Sequence, residues 1–207
     1  MLKLFYAPNT IALASLIALE EVGADYEPIR LDFQSTEQQG ASYLKINPKG
    51  RVPALVTERG ILTETPAILA WIAQSWPDSG LAPVQDLFAF AEVQSVCAYL
   101  CSTAHVAHAH KMRGHRWTDD DSAKQAMTSY VPRSMAAAFQ YLEDEVFQGP
   151  WVMGEAFTIA DPYLFTIARW LEGDGVDPEM FPKIHDHRTR MEERKSVQTA
   201  LATQLQT

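Results

Sequence analysis

The chain has 207 residues, 47% of them hydrophobic, and a formal net charge of −9, long enough for one large domain or two small ones with a buried core. The acidic balance argues against nucleic acid or an anionic membrane surface as a partner. Only two cysteines occur, Cys97 and Cys101, too few for a disulfide framework, so a reducing cytoplasm is the expected compartment. Met1 leads straight into strand-like residues with no basic segment and apolar leader behind it, so no secretory signal is expected. Nor is a membrane span, since no apolar run approaches the roughly 20 residues a bilayer requires.

Residues 3–6 read as a buried strand, and Pro8-Asn9-Thr10 as the turn into a helix over about 11–22 that Gly23 ends. A second strand is predicted over 26–31, then a polar, glutamine-rich stretch to Gly40 and a short helical piece over 41–46. Asn47-Pro48-Lys49-Gly50 is a turn signal. Val52-Pro53-Ala54-Leu55-Val56 has strand length with a proline at its head, where the missing N–H does no harm. Were the Val52-Pro53 bond cis, the Val52 N–H and C=O would be free for an extended peptide ligand. Glu58-Arg59-Gly60 makes a hairpin turn, and Ile61-Leu62-Thr63 returns into Glu64-Thr65-Pro66. There Thr65 is the expected hydroxyl cap and Pro66 the first residue of a helix reaching Trp76. A strand that ends at a helix N-terminus makes an anion site.

Composition shifts to linker around 77–83, and after Gln85 only helical periodicities recur, broken near Gly114, 148–150 and 173–175. The expected organisation is an α/β domain over 1–77, a linker over 78–84 and an all-α domain over 85–207. Cys97, Cys101, His105, His108 and Met112 fall on one helical face. No carboxylate sits at matching spacing, so no metal site is expected. Thr158 and Asp161 have the spacing of a capping box ahead of an apolar run and read as folding determinants. Trp151, Phe157, Tyr163, Phe165 and Trp170 are expected in the core.

Four ordered pieces then carry a resemblance that spans nearly the whole chain: Lys3-Leu4-Phe5-Tyr6-Ala7-Pro8; Asn47-Pro48-Lys49-Gly50 with Val52-Pro53-Ala54-Leu55; Leu62-Thr63-Glu64; and Phe157-Thr158-Ile159-Ala160-Asp161 with Tyr163-Leu164-Phe165-Thr166. The sequence resembles the glutathione transferases, and among them the bacterial Beta class. The resemblance implies a thioredoxin-like N-terminal domain with a cis-proline at Pro53, an all-α C-terminal domain, bound glutathione as substrate, a small electrophilic co-substrate and a homodimer. Glu64 is placed for the tripeptide's ammonium, and Thr65 with the helix N–H groups for the adjacent carboxylate. Arg51 stands where the Beta pattern usually has glutamine, and is either a contact for the glycyl carboxylate or a solvated arginine.

The first turn departs from the family, since Ile11 and Ala12 occupy the positions of the Beta-class cysteine and serine. Without a thiol there, a mixed disulfide with glutathione cannot form at that turn. Thiolate stabilisation remains open. Lowering a thiol pKa by two units takes about 2.7 kcal/mol, and one charge-assisted hydrogen bond supplies roughly 1.5–3 kcal/mol. Tyr6, Asn9 and Thr10 are the available donors, each with a bland alternative as core ring or helix cap. His105 matches a Beta-class histidine that lines the site from the second domain, while Val106 replaces the lysine that follows it. His108 and Arg113 could extend the same wall, and the electrophile pocket would include the loop near Trp117. The expected function is conjugation of glutathione to an electrophile through a stabilised thiolate. The alternatives are a non-catalytic glutathione-binding dimer for storage or regulation, or a glutathione-dependent peroxidase.

Overall fold

The computed structural model describes residues 1–205. Its first part runs β1 (Leu2–Tyr6), α1 (Ala12–Glu21), β2 (Tyr26–Arg30), a short α2 (Ala41–Leu44), β3 (Ala54–Thr57), β4 (Gly60–Thr63) and α3 (Thr65–Ser75). The four strands form one sheet in the order β2-β1-β3-β4. β1 lies parallel to β2 and antiparallel to β3, with Leu4 between Pro28 and Leu55, and Leu55 pairs onward with Leu62 of β4. Pro28 is tolerated because β2 is an edge strand. α1 is buried along almost its whole length, from Ala12 to Leu19, because α3, α7 and α9 enclose it together with the sheet.

Two boundaries differ from the sequence reading for physical reasons. β3 begins at Ala54, after the cis Val52-Pro53 peptide, because proline has no N–H for the ladder. α3 already includes Thr65, and the residue at its N-cap is Glu64, at φ 73° and ψ 121°, whose side chain makes no capping bond. Thr65 is therefore not the cap. That leaves its hydroxyl without a helical task, and it puts a non-glycine residue in the left-handed half of backbone space, a conformation that costs about 1–3 kcal/mol.

The second part is helical: α4 (Leu87–Tyr99), α5 (His105–Arg113), α6 (Asp121–Tyr141), α7 (Ala160–Ala168), α8 (Pro182–Glu192) and α9 (Lys195–Leu205). Asp86 caps α4 by accepting from the Phe88 and Ala89 N–H groups, and Asp120 caps α6 through Ser122 and Ala123. A π turn, Leu100–Ala104, joins α4 to α5, so that Leu87–Arg116 runs on as one helix long and apolar enough, by length and composition, to cross a bilayer. Length and composition alone do not overturn the expectation of no membrane span, which rests on the absence of an unbroken apolar run. Polar Glu92, Gln94 and Ser95 interrupt the apolar run in sequence, whereas an average over the helix absorbs them. Its inner face, with Val93, Val96, Cys97, Leu100 and Ala104, is buried in the protein's own core, as in a bundle helix.

That core is continuous from the sheet to the helices, with Leu4, Leu16, Ile68 and Leu69 in the same cluster as Phe139, Tyr163, Phe165 and Phe181. Two polar clusters tie it. Asp161, fully buried, accepts from the Val152 N–H at 2.9 Å and the Thr158 N–H at 2.6 Å, and sits 3.0 Å from His187 Nε2. Thr158 Oγ1 in turn accepts from the Ala160 N–H, closing the capping box at the start of α7. Glu21 at the end of α1 takes Arg194 in a fork, at 2.7 and 2.8 Å, and a short hydrogen bond from Ser196. Arg194 also lies over the Phe157 ring, 4.0 Å from its centroid.

Candidate functional site

A cleft of about 380 Å³ opens where the β3–β4–α3 corner and the first turn face α5. Its sheet-side wall is built from the turn after α2. Gly50 adopts φ 60°, a left-handed backbone that favours glycine, and a Cβ there would also meet the Gln38 backbone carbonyl at 3.0 Å. The Arg51 carbonyl is pinned by two donors at 2.6 Å, the Tyr43 hydroxyl and the Asn47 side-chain amide. The turn thus delivers Arg51, Val52 and Pro53 to the cleft, and among the described residues the Val52 N–H and C=O take no partner. Glu64 and Thr65 follow at the head of α3 and line the same space. Thr65 is buried, with a hydroxyl that makes no bond among the described residues. The Glu64 carboxylate forms a short contact with Lys49 Nζ, which also donates to Thr63 Oγ1 at 2.8 Å. Lys49, read from sequence only as a turn residue, is therefore part of the corner.

The first turn answers the question of donors unevenly. Tyr6 does not reach the cleft: it is buried and its hydroxyl donates to the Thr203 carbonyl of α9 at 2.9 Å. The expectation of Tyr6 as a site donor is thus corrected, because its proton already has a partner in the core. Thr10 lines the cleft, but its hydroxyl donates to the Ala7 carbonyl at 2.7 Å and accepts from the Ala12 N–H, a local turn bond of the kind threonine favours. Asn9, at φ 56°, is exposed at the mouth with its backbone N–H toward Gln204 and its carboxamide uncommitted. The N–H groups of Thr10 and Ile11 take no partner among the described residues, as befits the open N-terminus of α1. Ile11 lines the cleft, whereas Ala12 is fully buried.

The opposite wall is α5 and the 3-10 turn Gly114–Arg116 that follows it. His105, His108 and Arg113 all face the cleft. The His108 ring stacks on Trp170 at 4.1 Å, with Nδ1 2.7 Å from the buried Asp174 carboxylate. His105 tilts against the same indole at 5.3 Å and has no hydrogen-bond partner among the described residues. A carbonyl-satisfied core histidine is therefore not what stands here. Burial first, then the positive charges of His108, Arg116, Arg113 and Arg51, push its pKa down to about 4, so the ring is neutral at neutral pH. Arg116 is pulled down to about 10 by burial and by Arg51 and Arg113. Arg116, Tyr163 and Trp170 were missed as lining residues. Tyr163 and Trp170 read as core by their apolar neighbours, and core position does not preclude facing a cleft. Among the described residues no group of three or more His, Cys, Asp or Glu side chains is placed to hold a metal ion.

Comparison with known proteins follows the same division. Residues 1–74 match the family described as glutathione S-transferase, N-terminal domain, and residues 94–195 the glutathione S-transferase, C-terminal domain. The chain is 33% identical over 206 residues to glutathione S-transferase GstA of Escherichia coli O157:H7, with 98% of each covered. Among solved structures it is similar to a glutathione transferase homolog from Sulfitobacter with bound glutathione, at 47% identity, TM-score 0.96 and coverage of 100% and 99% of the two chains. It is also similar to the bacterial beta class glutathione S-transferase of Sphingomonas chungbukensis, at 32% identity, TM-score 0.85 and 98% coverage of both.

Proposed function

Because the chain belongs to the glutathione S-transferase family, we propose that it binds glutathione in this cleft and transfers it, as the thiolate, to a small electrophile. The observation that carries the reading is the corner at Glu64 and Thr65, where a left-handed backbone, an uncommitted hydroxyl and a helix N-terminus converge beside the unpartnered Val52. Glu64 takes the tripeptide's ammonium in exchange for Lys49. Thr65 and the first N–H groups of α3 take the neighbouring carboxylate. Val52 pairs with the extended backbone, and Arg51 takes the glycyl carboxylate.

This places the thiol at the first turn, between Asn9 and the open N–H groups of Thr10 and Ile11. Those donors, rather than Tyr6 or the Thr10 hydroxyl, stabilise the thiolate. The thiol proton leaves to solvent. The sulfur then attacks the electrophilic carbon, a C–S bond forms, and the leaving group departs with its electron pair. His105, neutral, acts on the electrophile and not as a cation.

Ile11 and the committed Thr10 hydroxyl favour one second reading, a dimer that binds glutathione without activating it. A glutathione titration followed by thiolate absorbance separates the two: both bind, but only the transferase ionises the thiol. We further propose that the glutathione-binding part is residues 1–77, the linker 78–84 and the helical part 85–207. The protein pairs as a homodimer through apolar surface such as Leu87 and Phe88, 82% and 75% exposed. Its two free cysteines suit the reducing cytoplasm.

A further inference from the structure

The charges of the cleft do not balance, and the imbalance runs against the rest of the chain. With 26 acidic and 17 basic side chains overall, the cleft nevertheless gathers Arg51, Arg113 and Arg116, close enough for Arg116 to feel both others. Among the described residues none of the three is paired with a carboxylate. Glu64, the acid that lines the cleft, is engaged by Lys49. The acidic residues that follow Arg116 in sequence do not neutralise it either: among the described residues Asp119 forms no ion pair, Asp120 caps α6 and Asp121 pairs with Lys124. Like charges gathered in a partly desolvated wall are unfavourable by themselves, and are offset when an anion arrives.

Resting on the transferase reading, the tripeptide's fixed charges are already assigned: the ammonium to Glu64, one carboxylate to the head of α3, the other to Arg51. Arg113 and Arg116 remain. They stand at the end of α5, past His105, next to Trp117 and the exposed Met112 and near Trp170, all lining the cleft. A guanidinium grips a carboxylate in a two-pronged fork, and an indole face accepts a flat conjugated ring. We propose that Arg113 and Arg116 form a carboxylate subsite for the second substrate, so that the electrophile this cleft takes is an aromatic or conjugated acid rather than a neutral compound. The matching reaction balances without further reagents: the thiolate of glutathione displaces chloride from a chloro-nitrobenzoate, forming C–S and breaking C–Cl, with the carboxylate untouched.

The test uses the full chain saturated with glutathione and a pair of near-isosteric probes, para-nitrobenzoate and para-nitrobenzamide, with binding read by quenching of tryptophan fluorescence. The acid is expected to bind about 10-fold or more tightly than the amide, the scale of one charge-assisted hydrogen bond. Arg113→Gln and Arg116→Gln are each expected to lower that ratio, and the double variant to bring it to about one, with glutathione affinity by calorimetry changed less than about threefold. Equal binding of acid and amide by the wild type would overturn the subsite. So would glutathione affinity falling in step with the acid's, since the arginines would then belong to the tripeptide. Turnover of the corresponding chloro-nitrobenzoate and chloro-nitrobenzamide is measured alongside. Failure to conjugate either compound strikes the transferase reading, whereas conjugation of both at equal kcat/KM strikes the subsite alone.

Discussion

At the scale of single residues, the site depends on which polar atoms are left uncommitted. His105 is the clearest case: a half-buried imidazole against Trp170, without a hydrogen-bond partner among the described residues, held neutral by desolvation and by surrounding cations. His105→Ala is expected to lower kcat about 10-fold or more with little change in glutathione affinity, the mark of a contact made mainly in the transition state. Its pKa falls from the ordinary 6.5 to about 4. The kcat profile should therefore show no His105 inflection near 6.5, and steady-state kinetics across pH with calorimetry on the same preparation checks both. Local strand and turn patterns pointed to Val52, Glu64 and Thr65, and the resemblance to the Beta class pointed to His105; all four line the cleft. The sequence did not disclose the fate of Tyr6, whose hydroxyl partner Thr203 lies 197 positions away. Nor did it disclose the cleft face of Arg116 and Trp170, which depends on how two distant helix ends meet.

At the scale of elements, the strongest local signal was the Thr158–Asp161 box, and the helix it starts is buried throughout. The pattern could not show that the Asp161 carboxylate also serves the Val152 N–H and His187, from segments 9 and 26 positions away. Asp161→Ala removes an acceptor from buried donors on three sides, so a loss of about 3–5 kcal/mol is expected in urea unfolding. Activity per folded molecule should be retained, since Asp161 does not line the cleft. The head of α3 shows the opposite error. Threonine before proline reads as a cap, but capping statistics cannot anticipate a left-handed Glu64, a conformation that local sequence disfavours and that the surrounding corner imposes.

At the scale of the whole molecule, α/β first and all-α second was legible from periodicity, but the continuity of the core across both was not. The Glu21–Arg194 fork fastens α1 to the start of α9 across that core. Burial pulls the Glu21 pKa upward, but hydrogen bonds from Arg194 and Ser196 outweigh it and hold the carboxylate below its ordinary 4.5. A carboxylate with a depressed folded pKa stabilises fully above the unfolded value, and that contribution disappears as pH falls through the folded one. Glu21→Gln is thus expected to cost about 1.5–3 kcal/mol at pH near 7. The gap between variant and wild type should narrow below pH 4.5, the ordinary value, as read by thermal melts across pH.

The central claim is that this cleft binds glutathione and ionises its thiol, and a titration of glutathione into wild type and Glu64→Ala, followed by ultraviolet thiolate absorbance across pH, tests it most directly. The wild type should saturate with a bound-thiol pKa about two units below the free value of roughly 8.5. Glu64→Ala should bind about 1.5–3 kcal/mol more weakly, the scale of a charge-assisted hydrogen bond. Absence of saturable binding, or a bound thiol that titrates like free glutathione, would contradict the account.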